Sequence, residues 1–431
     1  MKVAVCGLWH LGMVTAACLA AAGHEVTAYD PEWKGKPPVY EPGLDDLVQR
    51  GVSEGKIRFV AYPQDALSNA ELVWICWDTP VDDNDVADVE SVREKIRQLF
   101  PYLPDGCTVA ISSQLPVGST TAIEREFHAN DPRNNRVPHP GGPSDISFAY
   151  VPENLRLGNA IECFNNPNQI IVGRKNNRDF GRVYDALFAL PKVGKVGNIG
   201  SEPRILAMSP ESAEMCKHAI NAFLATQIAL TNEIAVICEK VGADARDVEA
   251  ALRSEPRIGP KAYVKAGAAF AGGTLARDLN YLDNMGSDLT MCVSHCNEEH
   301  KTWSYRQVTH RLASIIDGLK GKTIAVWGTA YKSGTDTLRR SATVEMIERI
   351  RCYGATVNVG DLVDPQFLLT ISNADALIIG NEHPTYRQFL PEDFIRHMRR
   401  PLIIDPSGWL NITDPRIEYV VVGRSATHGK A

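Results

Sequence analysis

The stretch Lys2-Val3-Ala4-Val5-Cys6-Gly7-Leu8-Trp9-His10-Leu11-Gly12 decides the fold class of the chain. Its first part, Lys2–Cys6, has the composition of a buried strand, and Met13–Ala22 is typical of a buried helix. A second strand-like segment, Glu25–Tyr29, follows and leads directly to Asp30. A strand that turns through glycine into a helix and then a second strand is the first unit of a parallel, doubly wound sheet.

The turn between the first strand and the first helix predicts a dinucleotide site. Gly7 permits a tight turn, and the helix N-terminus after it offers amides and a positive dipole to a pyrophosphate. Asp30 is placed to accept hydrogen bonds from an adenosine ribose, which favours NAD over NADP. Trp9 replaces the middle glycine of the usual pattern, and a turn that only packs a helix on a strand is the alternative. The predicted cofactor-binding residues here are Gly7, Trp9, His10, Leu11, Gly12 and Asp30.

Two alternating regions flank a long apolar helix. Further strands of the first region are predicted at Leu72–Trp77, Thr108–Ser112 and Gln169–Val172, with helices such as Ser91–Leu99 between them. Ser209-Pro210 is a good helix start, the apolar run continues to Val241, and Gly242 supplies a stop. The second region has predicted strands at Thr323–Trp327, Ala355–Val359, Ala376–Ile379 and Leu402–Ile404, and a crossover helix at Ala342–Tyr353. We therefore predict two Rossmann-like domains of parallel sheet joined by a long central helix.

Composition argues against several classes of protein. The 431 residues carry a net charge of −7 with scattered basic residues, which favours neither nucleic-acid nor membrane binding. The ten cysteines show no paired spacing, as is usual in a reducing cytosol. The cluster Cys292-Val293-Ser294-His295-Cys296, with His300 nearby, matches no standard zinc pattern, so we predict helix packing and no metal site. Glycines and His10 interrupt the N-terminal apolar run, no other segment is expected to span a bilayer, and we predict a cytoplasmic protein.

Motifs along the whole chain resemble those of the UDP-glucose/GDP-mannose dehydrogenase family. Ala269-Phe270-Ala271-Gly272-Gly273-Thr274-Leu275-Ala276-Arg277-Asp278 resembles its catalytic loop, Gly-Phe-Gly-Gly-Ser-Cys-Phe-Pro-Lys-Asp. On the long helix, Glu214, Lys217 and Asn221 match its Glu-Leu-x-Lys-x-x-x-Asn pattern. Tyr40-Glu41-Pro42-Gly43-Leu44 is a further matching signature.

The resemblance implies a reacting centre. It gives Lys217 and Asn221 the task of stabilising an oxyanion, and Asp278 the task of positioning a water or sharing a proton. Val151-Pro152-Glu153-Asn154-Leu155-Arg156-Leu157-Gly158 resembles the family's Asn-Pro-Glu-Phe-Leu-x-Glu-Gly, and Glu153 matches a glutamate that acts through water. From the helix alone, a structural polar network is the alternative, because a buried Lys and Asn need polar partners in either case.

Thr274 stands where the family has the cysteine that holds the aldehyde intermediate as a thiohemiacetal. A threonine hydroxyl needs a strong adjacent base to act as a nucleophile. Three outcomes remain open. The enzyme stops after two electrons, completes four through a hydrated aldehyde, or only binds a nucleotide sugar.

Other matching segments imply contacts with cofactor and substrate. Asp78-Thr79-Pro80 and Ser113-Gln114-Leu115-Pro116-Val117-Gly118 resemble loops that line the cofactor. Arg257-Ile258-Gly259 resembles a segment whose Arg reaches the sugar from the neighbouring subunit. The segment from Ala330 to Ser341 resembles a loop whose Lys contacts substrate and whose Arg contacts the pyrophosphate. Asp405-Pro406-Ser407-Gly408 lacks an Arg that the family usually has there. The added cofactor-binding residues are Thr79, Gln114 and Arg339, and the implied substrate-binding residues are Leu155, Arg257, Tyr263, Gly272 and Lys332.

The resemblance also assigns functions to the three parts of the chain. We predict an NAD-binding Rossmann domain at 1–205, a central helical domain for dimerisation and the catalytic loop at 206–310, and a nucleotide-sugar-binding Rossmann-like domain at 311–431. The implied function is NAD-dependent oxidation of a nucleotide-activated hexose by a homodimer or higher homo-oligomer, of the UDP-glucose 6-dehydrogenase type that gives a uronate. The alternatives are a two-electron oxidoreductase or epimerase, and a catalytically silent nucleotide-sugar-binding protein.

Overall fold

A computed structural model describes residues 1–36, 39–82, 86–131, 146–153, 155–190, 204–271, 273–330, 338, 341–360 and 367–424. The chain divides into two compact units, Met1–Ala219 and Ile220–Ala431.

The first unit is built on an eight-stranded sheet of order β3-β2-β1-β4-β5-β6-β7-β8. Its strands are β1 (Lys2–Cys6), β2 (Glu25–Tyr29), β3 (Ile57–Val60), β4 (Leu72–Ile75), β5 (Thr108–Ile111), β6 (Ser147–Tyr150), β7 (Gln169–Gly173) and β8 (Arg204–Met208). All neighbours are parallel except β6 and β7, which meet antiparallel at Tyr150 and Gly173. The order reverses between β1 and β4, and such a reversal opens a crevice at the carboxyl ends of the strands.

Helices cover this sheet. They are α1 (His10–Ala21), α2 (Leu44–Ser53), α3 (Pro63–Leu67), α4 (Val89–Arg97), α5 (Ser119–Asn130), α6 (Ala160–Asn165) and α7 (Asn177–Phe188), with a 3-10 turn at Phe100–Tyr102. Helix α1 is apolar around most of its circumference, and Met13, Val14 and Leu19 are fully buried. They belong to a core with Val3, Val5 and residues of α2, α6 and α7. This burial fixes the start of α1 against the end of β1.

Helix α8 (Pro210–Val241) is the longest element. It begins where predicted, because Ser209 Oγ accepts a hydrogen bond from the amide of Ser212 at 3.2 Å, and it ends at Gly242, whose φ is +78°. By length and mean hydropathy (1.4 over 18 residues) it could cross a membrane, so the expectation that no segment would qualify is wrong on those criteria. Core helices of globular proteins meet the same criteria, and 39% of that window is buried.

The second unit combines a helical part with a five-stranded parallel sheet of order β10-β9-β11-β12-β13. After α8 come α9 (Ala245–Ser254), α10 (Gly273–Asn284), α11 (Asp288–Lys301), α12 (Trp303–Leu312), β9 (Thr323–Trp327), α13 (Ala342–Cys352), β10 (Thr356–Gly360), β11 (Ala376–Ile379), α14 (Pro391–His397), β12 (Leu402–Ile404) and β13 (Glu418–Val420), with 3-10 turns at Phe367–Ile371 and Pro384–Gln388. The strand order reverses between β9 and β11, which creates a second crevice of the kind that binds ligands.

The predicted fold class is confirmed, and nine predicted strands are present to within two residues at each end. The described strands that the sequence analysis missed are β3, β6, β8 and β13. The three-part division at 205 and 310 stays a prediction beside the two compact units.

A buried histidine makes the stability of the first unit sensitive to acid. The ring of His24 is buried, and its Nε2 lies 2.9 Å from the carbonyl oxygen of Ala186 in α7. Burial lowers the pKa of His24 below its ordinary value, although the carbonyl acts in the opposite direction. The neutral ring therefore stabilises the fold above the unfolded pKa of about 6.5, and this contribution falls as the pH drops below that value.

We expect the free energy of unfolding to fall by up to about 1.4 kcal/mol per pH unit from this residue, between the two pKa values. The variant His24→Gln keeps a donor that does not titrate, so it should lose less stability than the wild type between pH 7.5 and 5.5. Thermal unfolding of both proteins across that range measures the difference. Parallel curves for the two proteins would contradict the assignment.

Candidate active site

The turn after β1 is built around two glycines that no other residue could replace. Gly7 has a φ of +96°, and a Cβ there would lie 2.5 Å from the backbone nitrogen of Trp77. A Cβ on Gly12 would lie 1.7 Å from the carbonyl oxygen of Gly7. A side chain at Gly12 would push α1 away from the turn after β1, and one at Gly7 would push that turn away from the backbone that follows β4. The two glycines are therefore required by the protein's own backbone.

The middle position of the turn, by contrast, has room for a side chain. Trp9 is the N-cap residue of α1 with a φ of −74°, which any residue adopts, and its side chain is 40% exposed. The side chain of Trp9 does not cap the helix, so the first amides of α1 remain available to an anion. This N-terminus fits the pyrophosphate of a dinucleotide, with an indole where other proteins place a glycine.

Asp30 lies beside this turn, as predicted. Its carboxylate accepts hydrogen bonds from the amide of Leu8 at 2.7 Å and from the amide of Glu32 at 2.9 Å. These bonds fix a half-buried carboxylate at the end of β2, next to the start of α1. Its location and charge fit a ribose hydroxyl pair and would repel a 2′-phosphate.

The loops after β4 and β5 are joined to each other. Thr79 Oγ donates to the carbonyl oxygen of Gln114 at 2.7 Å, and both residues are buried. The second loop is also held by Glu214 of α8, which accepts from the amides of Gly118 (2.5 Å) and Thr120 (2.8 Å) and from the Thr120 hydroxyl (2.7 Å). Burial raises the pKa of the Glu214 carboxyl, and these donors act in the opposite direction. Glu214 thus caps α5.

Lys217 and Glu153 are in contact within the first unit. The Nζ of Lys217 donates to the backbone carbonyl oxygen of Glu153 at 2.6 Å and lies 3.8 Å from its Oε1. Lys217 is only 5% exposed, so these oxygens offset the cost of burying its ammonium group. The other carboxylate oxygen of Glu153 accepts from the amide of Leu155 at 2.6 Å.

Asn221 and Asp278 are in contact within the second unit. The side-chain amide of Asn221 donates to a carboxylate oxygen of Asp278, and both side chains are buried. Asp278 belongs to α10, whose second residue is Thr274. Thr274 is exposed, so its side chain is accessible to solvent.

Three buried polar side chains that the sequence analysis did not assign hold the segment before α10. Asn297 pairs with both backbone groups of Phe270, at 2.9 and 3.0 Å. Asn232 accepts from the amide of Gly267 at 3.0 Å, and the Nε2 of His300 lies 2.8 Å from the carbonyl oxygen of Gly267. Burial lowers the pKa of His300, which keeps the ring neutral as a donor. Their only sequence signal is a polar side chain on a buried helix face.

A cleft opens beside this segment, within the second unit. Its lining includes Gly267–Ala269 and Ala271, the end of β11 and the start of α13. Polar groups reach it from Lys301, Ser341 and Thr343. The cleft lies at the carboxyl end of β11, next to the reversal of strand order, where open sheets bind ligands.

The remaining predicted residues are dispersed or lie outside the described part of the chain. The side chain of Arg257 is 88% exposed and pairs with Glu255 at 2.7 Å. Tyr263 is also exposed, and its amide donates to the side chain of Gln227. The predicted residues outside the described ranges are Gly272, Lys332 and Arg339.

Comparison with known proteins places this geometry in a family. Residues 1–190, 211–300 and 325–414 match the NAD binding, central and UDP binding domain models of the UDP-glucose/GDP-mannose dehydrogenase family. The chain is 28% identical to a UDP-glucose 6-dehydrogenase of Pseudomonas aeruginosa, over 94% of this chain and 93% of that protein.

Solved structures agree. The chain resembles a UDP-D-ManNAc dehydrogenase from Pyrococcus horikoshii with a TM-score of 0.85 and 25% identity, over 99% of this chain and 100% of that one. It also resembles a UDP-glucose dehydrogenase from Pyrobaculum islandicum with a TM-score of 0.80 and 25% identity, over 98% and 97% of the two chains. The chain belongs to the UDP-glucose/GDP-mannose dehydrogenase family and is an NAD-dependent oxidoreductase of the nucleotide-sugar dehydrogenase type.

Proposed function

We propose that the protein oxidises C6 of a UDP-linked hexose of the UDP-glucose type to the uronate. One observation carries the proposal. Helix α8 presents a buried cation in contact with Glu153 and, four residues later, a buried amide in contact with Asp278. Support for the substrate comes from the UDP binding domain model, from relatives that are UDP-glucose 6-dehydrogenases, and from the cleft in the second unit.

Each buried group has a task in such an oxidation. NAD, when bound, accepts the hydride. The hydroxyl on the reacting carbon must also lose its proton, and the negative charge on its oxygen must be stabilised. Lys217 has N–H groups beyond the one that Glu153 accepts, and these would hold that oxygen together with the Asn221 amide. Asp278 would orient the amide and accept the proton or hold the water that accepts it.

We expect Lys217→Met to lower kcat by about 10²- to 10³-fold, because it removes a fixed charge from the developing oxyanion. Methionine keeps much of the buried volume, so the Kd for NAD should change little. Lys240→Met on the exposed face of the same helix is the matched control and should keep wild-type kcat. Steady-state kinetics with titration of NAD measures both effects. A kcat within threefold of wild type for Lys217→Met would refute the role.

Thr274 determines how the second oxidation proceeds. A threonine hydroxyl on an exposed turn of α10 is a poor nucleophile, so the aldehyde would not be held covalently. The uronate would then form by addition of water to the aldehyde and loss of a second hydride and a proton from the hydrate.

Counting NADH per sugar consumed tests this route. We expect two NADH for the wild type and no covalent adduct in the mass spectrum of the quenched enzyme. The variant Thr274→Cys should give a covalent adduct and faster uronate formation, whereas Thr274→Ser, which keeps a hydroxyl, should match the wild type. One NADH per sugar, with an aldehyde or ketone product, would refute the uronate proposal.

Thr274 itself favours a second candidate function. Without a thiol in the loop, the reaction ends naturally after two electrons, or runs as an oxidation–reduction cycle that epimerises the sugar. Product mass and NADH yield separate these cases. A two-electron oxidation forms one NADH per sugar and removes two hydrogens from it, whereas epimerisation forms no net NADH and changes only the stereochemistry of the sugar. A protein that only binds nucleotide sugar would leave the substrate intact.

We also propose a homodimer that uses α8. Phe223, Leu230 and Ile237 recur every seven residues and are 66%, 57% and 54% exposed, so the described part of the chain leaves one apolar stripe of a long helix uncovered. The strongly exposed Arg257 in the same unit is available to a neighbouring subunit. The free cysteines, all ten of them in the described part of the chain, support a reducing, cytoplasmic location, and we propose no membrane or nucleic-acid partner.

We expect Leu230→Glu to convert the dimer to a monomer at micromolar concentration, because a carboxylate in an apolar interface is not solvated. Light scattering after size-exclusion chromatography measures the mass. Ile315→Glu, at a fully exposed isoleucine outside the stripe, is the matched control and should stay dimeric. An unchanged mass for Leu230→Glu would contradict the assignment of this face.

A further inference from the structure

The signature Tyr40-Glu41-Pro42-Gly43-Leu44 has not yet been given a role, and Glu41 is its buried charged residue. The side chain is 1% exposed and accepts three hydrogen bonds. They come from the His10 ring at 2.8 Å, the amide of Gly158 at 2.9 Å and the amide of Ala160 at 2.8 Å. A buried carboxylate is tolerated only when such donors replace water. The three donors therefore require a negatively charged acceptor of this shape at position 41.

The three donors belong to two functional segments of the first unit. Gly158 and Ala160 end the segment that begins at Glu153, whose carbonyl oxygen receives the Lys217 ammonium at 2.6 Å. His10 is the first residue of α1, directly after the dinucleotide turn. One carboxylate therefore connects the start of α1 to the segment that fixes Lys217.

Glutamate is the residue that these contacts require. Glutamine has a single acceptor oxygen, and its NH₂ group would face an N–H donor in place of the second oxygen. Aspartate keeps the charge but is one methylene shorter, so it cannot reach both the His10 ring and the two amides from the same backbone position.

We propose that Glu41 is a positioning residue. It holds Gly158 and Ala160 against the dinucleotide turn, and so positions the segment whose Glu153 carbonyl oxygen receives Lys217. The inference rests on the proposed roles of Lys217 and Glu153. Glu41 touches neither substrate nor cofactor in this scheme, and it acts through the backbone that it holds.

Hydrogen exchange and kinetics of Glu41→Gln test the proposal. We expect exchange of the amides in residues 156–163 to become about tenfold faster or more, because a charged acceptor is lost, and kcat to fall at least as much while KM changes less. Asp46→Asn makes the same chemical change at an exposed carboxylate of α2 and should leave both unchanged. Unchanged exchange in Glu41→Gln would overturn the proposal.

A second background separates positioning from general destabilisation. In Lys217→Met, adding Glu41→Gln should reduce kcat by less than about threefold further, because both changes act through Lys217. A full multiplicative loss would overturn the proposal. If Lys217→Met alone keeps wild-type kcat, the proposed function of Lys217 fails. The exchange experiment then still tests whether Glu41 holds the segment: faster exchange in Glu41→Gln supports that role, and unchanged exchange refutes it. Should Glu41→Gln not fold, Glu41→Asp is measured in the same way with the same expectation.

Discussion

Burial of an ammonium group on an apolar helix constrains much of the first unit. Lys217 lies on a helix that is otherwise largely apolar, and the free energy of its charge depends on the oxygens of Glu153. Those oxygens stay in place because the following segment is bound at its far end by Glu41. The buried ammonium group of Lys217 therefore depends on a backbone segment that Glu41 connects to the start of α1. Glu41 makes the last of these contacts with the ring of His10.

Local patterns predicted the elements well, and long-range pairings poorly. β1, β2 and the ends of α8 follow from apolar runs, glycine and a serine cap, which are short-range signals. β8 and β13 contain apolar residues, but most of their side chains are accessible to solvent, so neither has the buried pattern of the strands that were predicted. Glu41 meets Gly158 and Ala160 across 117 and 119 residues of chain, and no local pattern can indicate such a pair. Lys217 and Asn221 were assigned to the reacting centre by their match to the family's pattern, because a polar residue on a buried helix face would by itself also fit a structural polar network.

The positions at which the sequence departs from the usual motifs are less constrained by the fold than the positions at which it matches them. Gly7 and Gly12 are fixed by contacts of the protein with itself, and any side chain there would collide with backbone. Trp9 and Thr274 have side chains partly or largely open to solvent, so folding places little constraint on them. Substitution at such positions alters what a ligand meets while the fold is unchanged.

The hydroxyl at position 274 has a chemical consequence for how the enzyme would respond to its surroundings. Alkylating reagents and peroxides inactivate enzymes by reacting with an essential thiolate, and the loop that begins α10 offers none. Cys292 and Cys352 are exposed, so such reagents would modify the surface before reaching any buried sulfur. Because no thiol stands at position 274, we expect turnover to survive modification of the exposed cysteines by such reagents.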